Sequence, residues 1–398
     1  MRPDSYNNDL ELASFIPSRY TWAGEQRKGT ICHITDSKDP VGHTKKAMGL
    51  EFAIEKEAPL PSEVKASLEF IQNVTYEEAT EFWTAQLSKV RGIVAAAATQ
   101  MKWEAASPCA ATRRPRSVRA VALLHLMKCF GLGGDRWMRQ FVFGFPIIGE
   151  IEQTGVFPRD AAKRPPPPIG EIWSGNSTRF QTRARASGAL NASVLWTEAM
   201  AQVDKGWLGP PLPIDQTGNV ANWTKGKTVI AFRFGVDQMD KLRSCDDLKY
   251  STTNMYCTVW TPIKLPTWDH IGQMTLEVAN SNRPWSFMKM DHEAAYKQLP
   301  IDSDQTKYAM VALRHPTTLE WHAFPPFSLL FGAEAAVIHY NCYSRTVAIL
   351  INRILGIPLI AYYDDLGALI PSDLGQLTLA TAKVFVTTIG YFISGKKD

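Results

Sequence analysis

An α+β fold is what this sequence predicts, on three observations. From Thr228 onward, short strand-like apolar runs alternate with stretches of helical periodicity, a pattern of helices and sheets packed in layers. Before that point the apolar spacing is mainly helical, so helices are expected ahead of the mixed region. Hydrophobic residues make up 45% of the 398 positions, enough to bury a core of two or three structural units and to exclude a disordered or fibrous chain.

Taken in order, residues 1–60 mix polar, Gly and Pro residues without sustained periodicity and read as a loosely ordered leader. Residues 61–164 are expected to be mostly helical. Ser62 precedes Glu63 there, and Val64, Leu68, Phe70, Ile71, Phe82, Leu87, Val90 and Val94 recur at the spacing of one or two amphipathic helices, read as a solvated pair. Arg113, Arg114, Arg116 and Arg119 then precede the helical run AVALLHLMKCF; such clusters either grip phosphates or form solvated surface, and solvated surface is the commoner case. In GDRWMRQFVFGFPIIG, the aromatics Trp137, Phe141, Phe143 and Phe145 are expected in the core rather than on a base-stacking platform. The four prolines at 165–168 exclude regular helix and central strand, and residues 165–189 are assigned to a Pro-rich linker. Residues 190–203 read as a helix, KGWLGPPLPI as a Pro-rich turn, and 190–398 as the main α+β unit.

A formal net charge of +4 permits a polyanionic partner without requiring one. The six cysteines, Cys32, Cys109, Cys129, Cys245, Cys257 and Cys342, form no CxxC pair, which argues against a zinc module or a disulfide framework and for reduced thiols. The N-terminus lacks a basic segment followed by an apolar one, so no secretory signal is expected. Residues 347–370 are apolar but interrupted by Arg353, Asp364 and Asp365; they fail as a membrane span and read as a buried helix leading into a buried strand. An intracellular protein with no membrane partner is the expectation.

The chemistry concentrates in carboxylates. In AYYDDLGALI, Asp364 and Asp365 interrupt an apolar strand-like run, where two charges are costly unless a cation or a solvated turn compensates them. A β-hairpin with the pair at its tip is the natural geometry. In WSFMKMDHEAAYKQLPI, Asp291 ends a second strand-like run. Carboxylates brought together from separate strands can hold two Mg²⁺ ions about 3.5–4 Å apart for in-line phosphoryl transfer. Taken singly, Asp-Asp is an ordinary hairpin turn and Asp291 an ordinary helix N-cap.

In their order, these segments resemble the reverse transcriptases of retroelements and retroviruses, over roughly residues 200–398. Tyr362, Tyr363, Asp364 and Asp365 match the YxDD box, and Asp291 through Tyr296 is similar to the motif in which a metal-binding Asp precedes an aromatic sugar gate. Phe331 and Gly332, with Ala336, resemble the aromatic-Gly step before a small-residue helix start; Val337 departs from the Pro of many members. RFGVDQMDKLRSCDDL is similar to the fingers hairpin, with Arg243 in the triphosphate-contacting place and Lys241 beside it. TIGYFISGKKD looks like the segment in which a Lys protonates the leaving pyrophosphate, and Lys397 fits that place better than Lys396.

What the resemblance implies is the fingers and palm of a right-hand polymerase: a ferredoxin-like palm sheet with helices on one face, following a mostly helical N-terminal region and stopping before the thumb. It implies an RNA-directed DNA polymerase with Asp291, Asp364 and Asp365 as metal ligands, Lys397 as proton donor, and Lys241, Arg243, Tyr296, Phe331 and Gly332 at the nucleotide. Mg²⁺, or Mn²⁺ in its place, would be the cofactor, and a primed RNA or DNA template and deoxynucleoside triphosphates the partners. Two other classes compete: a truncated element remnant that binds nucleic acid without catalysis, and another palm-type nucleotidyltransferase, against which the bulk of Tyr296 argues.

Overall fold

The computed structural model describes residues 32–33, 59–98, 120–132, 135–151, 162–187, 191–238, 241–261, 263–391 and 393. The rest of the expected leader, the cluster Arg113 to Arg119, and Lys396 and Lys397 lie outside the described residues. In chain order the elements are β1 (Cys32–His33), α1 (Ser62–Gln72), α2 (Tyr76–Ala98), α3 (Ala120–Cys129), α4 (Asp135–Phe143), β2 (Gly149–Ile151), α5 (Asn176–Ala186) and α6 (Ala192–Asp204). There follow β3 (Leu212–Pro213), β4 (Ile230–Gln238), β5 (Lys241–Asp246), β6 (Cys257–Val259), α7 (Trp268–Glu277), β7 (Trp285–Asp291), β8 (Met310–Arg314) and β9 (Trp321–Phe324). Last come α8 (Glu334–Leu350), β10 (Leu359–Tyr362), β11 (Asp365–Pro371) and α9 (Gly375–Thr388). The fold is therefore mixed α+β.

Four strands pair in the order β1-β7-β11-β10, antiparallel throughout. Every β11 residue after Asp365 is buried, because α1, α7 and α9 pack on this sheet; such a strand reads as a continuous apolar run rather than an alternating one. Five strands pair as β3-β9-β8-β4-β5. Here β4 pairs with β8 only over Ile230, Ala231 and Phe232, while from Arg233 to Gln238 it pairs with β5, so the β4–β5 hairpin reaches beyond the body of its sheet. The parallel pair β2–β6 ties the N-terminal helices to the rest.

Three expectations need correction. The helices α1 and α2 are not a solvated pair: Val64, Leu68, Ile71, Trp83, Val90 and Val94 are buried in the same core as β7, β11 and α9. Trp83 donates its indole N–H to the carbonyl of Leu355 at 3.1 Å, since a buried donor must find an acceptor. Full burial of each large apolar side chain contributes about 1.5–3 kcal/mol, which explains why the stripe faces inward. Phe143 is exposed although Trp137 and Phe141 are buried. On α4 the buried pair is spaced i, i+4, whereas Phe143 stands two residues beyond Phe141 and faces elsewhere. The segment assigned to a linker is extended only through its prolines; Ile169–Trp173 forms a 3₁₀ turn and α5 follows. Phe180 of α5 stacks on Phe232 at 5.6 Å in a small core with Ile230, Met310 and Ala323, so this stretch is part of the fold.

Among the described residues, no helix is long and apolar enough to cross a membrane, and Cys129, Cys245, Cys257 and Cys342 are not joined in disulfides.

Candidate acidic site

The hairpin β10–β11 turns through two residues, Tyr363 and Asp364, with Tyr362 paired to Asp365. Such tight turns match strand twist when the first central residue has positive φ, a place Gly usually takes. Here Tyr363 takes it, at φ 51°. A bulky side chain in that region stores on the order of 1–3 kcal/mol of strain, and the surroundings hold it: Ser344 of α8 donates its hydroxyl to the Tyr363 carbonyl at 2.9 Å.

The neighbouring strand brings the third carboxylate. In the β7–β11 ladder Asp291 stands directly opposite Asp365, and the amide of His292 donates to the carbonyl of Asp364 at 3.1 Å. Like charges directly opposite one another destabilise a ladder. Lys289, on the same strand as Asp291, offsets part of that with its ammonium 2.8 Å from Asp365. Asp291, Asp364 and Asp365 thus meet at one end of the sheet, half-exposed.

Aromatic residues close around this end. After Asp291 the chain turns sharply through Ala294 and Ala295, both at positive φ, into a 3₁₀ turn carrying Tyr296. The Tyr296 ring meets Phe331 edge-on at 4.9 Å and Tyr340 at 5.0 Å. Burial pushes its phenol up to about 12, and the negative charge of Asp364 adds to the shift, which puts the phenol within electrostatic reach of the hairpin tip. Phe331 is itself exposed, and Gly332 has φ +107° with a Cβ position only 2.2 Å from the carbonyl oxygen of Asp246. No other residue fits there. Asp246 returns the contact by donating its amide to the Phe331 carbonyl at 3.1 Å, so the turn before α8 is stitched to β5.

The structure thus brings together Asp291, Asp364, Asp365, Tyr296, Phe331 and Gly332. Arg243 stands apart on the β4–β5 hairpin, exposed and opposite Val236. Lys241 begins the same strand, opposite Gln238. The cation that β5 holds in the interior is Arg233, whose guanidinium binds the Asp246 carboxylate through two bonds of 2.8 and 3.1 Å and also donates to Gln202.

Sequence reasoning passed over Arg233, Asp246, His292, Tyr340, Tyr391 and Lys297. Arg233 interrupts the apolar run IAFRF and Asp246 is its cross-strand partner, a signal readable only once the hairpin register is known. Burial pulls the Lys297 ammonium down to about 8, and neighbouring Arg233 adds to that, against the opposing pull of Asp246 and Glu198.

A divalent metal would be held by Asp291 and Asp364 with Asp365 beside them. Among the described residues no three His, Cys, Asp or Glu side chains form a ready-made metal cage. That donor set suits Mg²⁺, a hard cation that takes one or two carboxylates and completes its shell with water and substrate phosphate. No family model matches this chain, and no curated protein matches it.

Proposed function

We propose that this chain is a template-directed nucleotidyltransferase of the reverse-transcriptase kind, adding deoxynucleotides to a primer. The observation that carries the reading is the register that sets Asp291 opposite Asp365 with Asp364 at the strained tip beside them. Topology adds support: β7, α8, β10 and β11 are consecutive among the sheet's strands and long helices, yet the sheet order is β7-β11-β10, the split arrangement expected of a ferredoxin-like palm.

In this reading Asp291 and Asp364 hold the metal, with Asp365 as a further ligand. Two bound Mg²⁺ ions would activate the primer hydroxyl and neutralise charge on the leaving pyrophosphate. Tyr296 lies under the incoming sugar and excludes a 2′-hydroxyl by bulk, backed by Phe331 and Tyr340. Gly332 lets the aromatic step pass close to β5, and Arg243 with Lys241 on the projecting hairpin supplies positive charge for the triphosphate. Lys397 keeps the proton-donor role that the resemblance gives it. Template contacts are sequence-tolerant, through backbone and stacking.

A primed homopolymer template, a deoxynucleoside triphosphate and Mg²⁺ test the reading directly. Incorporation is expected from the native chain and a loss of about a thousand-fold from Asp364→Asn, several kcal/mol of transition-state stabilisation. Template binding without incorporation by the native chain would instead favour a non-catalytic nucleic-acid binder. Tyr296→Val is expected to admit ribonucleotides; unchanged discrimination in that variant would remove Tyr296 from the gate.

A further inference from the structure

Directly after Asp291 stands a residue whose side chain turns away from the acidic end and into the core. His292 is 2% exposed, and its ring meets two phenols from distant parts of the chain. The hydroxyl of Tyr391, just after α9, hydrogen-bonds with Nδ1 of His292. The Tyr340 hydroxyl, from α8, hydrogen-bonds with the same nitrogen and lies 2.5 Å from the Tyr391 oxygen. The Tyr391 ring packs edge-on against the imidazole at 3.9 Å. Burial drives the imidazole toward its neutral form and keeps both phenols protonated, so the triangle is uncharged.

The backbone of the same residue faces the other way. The His292 amide donates to the Asp364 carbonyl, and His292 forms a bridge with Ile393. One residue therefore joins the end of β7, the hairpin tip, α8 and the segment after α9. We infer that His292 is a positioning residue: its ring, anchored by Tyr340 and Tyr391, fixes the peptide that ties Asp291 to Asp364 and so sets the separation of the two carboxylates. The inference rests on the polymerase reading of those carboxylates. Mg²⁺ demands near-ideal octahedral geometry at about 2.0–2.1 Å, so freedom in that peptide is felt as lost metal affinity. Groups that orient metal ligands from behind are typically worth about 10–100-fold in affinity or activity.

A purely structural role would lower thermal stability and leave metal affinity alone, and this separates the two. Mn²⁺ binding, read from the loss of the free-ion electron paramagnetic resonance signal, is compared in the full chain, in Asp291→Asn as the site control, and in His292→Leu, His292→Asn and Tyr391→Phe. His292→Leu should weaken Asp291-dependent Mn²⁺ binding about ten-fold. His292→Asn, whose carboxamide offers a donor and an acceptor in the place of Nδ1, should recover most of it, and Tyr391→Phe should fall between. In primer extension, the Mg²⁺ activation midpoint should rise by a similar factor while the triphosphate KM at saturating Mg²⁺ stays unchanged. A lowered melting temperature with native Mn²⁺ affinity in His292→Leu overturns the positioning role; where that variant does not fold, native affinity in Tyr391→Phe does so. Mn²⁺ binding that ignores Asp291→Asn removes the polymerase reading and the inference with it, whereas native-like metal affinity of the His292 and Tyr391 variants at an Asp291-dependent site removes the inference alone.

Discussion

Arg233 and Asp246 face each other across β4 and β5, and Asp291 and Asp365 face each other across β7 and β11. Both are charged pairs in antiparallel ladders, yet their charge relations are opposite. The first joins unlike charges whose side chains are each 1% exposed, with each guanidinium nitrogen donating to Asp246 or Gln202. The second sets like charges together where water reaches them, with Lys289 as a partial counterweight. Folding alone accounts for the first pair: it fixes β5 at the place where Gly332 must pass within contact of Asp246. Folding alone would select against the second. An arrangement that opposes stability thus coincides with backbone strain at Tyr363, at the end of the sheet on which the proposed function rests.

Breaking the first pair should give the largest change in stability. Asp246→Ala leaves the Arg233 guanidinium buried without its carboxylate, which is expected to cost about 3–5 kcal/mol in a denaturant titration. A change below about 1 kcal/mol would mean that water reaches the pair.

Lys297 sharpens the comparison from the same side, because it is a second cation beside Arg233. Its folded pKa of about 8 lies below the ordinary 10.5, so the unfolded chain binds the proton more tightly. The destabilisation is complete below about pH 8 and is relieved as pH rises from 8 toward 10.5. Lys297→Met should therefore raise stability at pH 7 by roughly 2–3 kcal/mol, and the gain should shrink toward pH 10. Equal gains at pH 7 and pH 10, measured by chemical denaturation, would contradict this.

The acidic pair should respond in the opposite sense and by the least. Asp291→Asn removes a like-charge opposition and is expected to raise stability by roughly 0.2–1 kcal/mol while abolishing incorporation. A melting temperature that falls in this variant would show that Asp291 holds the strand together rather than opposing it.

Much of this architecture was readable before any coordinates. The helices of 62–72, 76–98, 120–129 and 192–204 follow from apolar spacing, and the hairpin tip from two carboxylates set into an apolar run. Their depth of burial was not readable, because a stripe of Val64, Leu68 and Ile71 looks the same whether it covers another helix or a whole sheet. Phe143 went astray because aromatic density says nothing of which side of α4 each ring faces. The stretch after the prolines was misjudged because Pro165 to Pro168 dominate the composition of a segment whose remainder is helical.

By itself, the sequence determined the α+β class and the order in which the candidate acidic residues come along the chain, since periodicity and motif spacing are local properties. Only the tertiary structure decided that Asp291 stands opposite Asp365, that Gly332 runs against Asp246, and that His292, Tyr340 and Tyr391 meet in one buried triangle. Each of those depends on strand register and on helix packing between segments far apart in the chain. Register moves every side chain to the other face with a slip of one residue, and it is fixed by the burial of the whole sheet rather than by any residue in it.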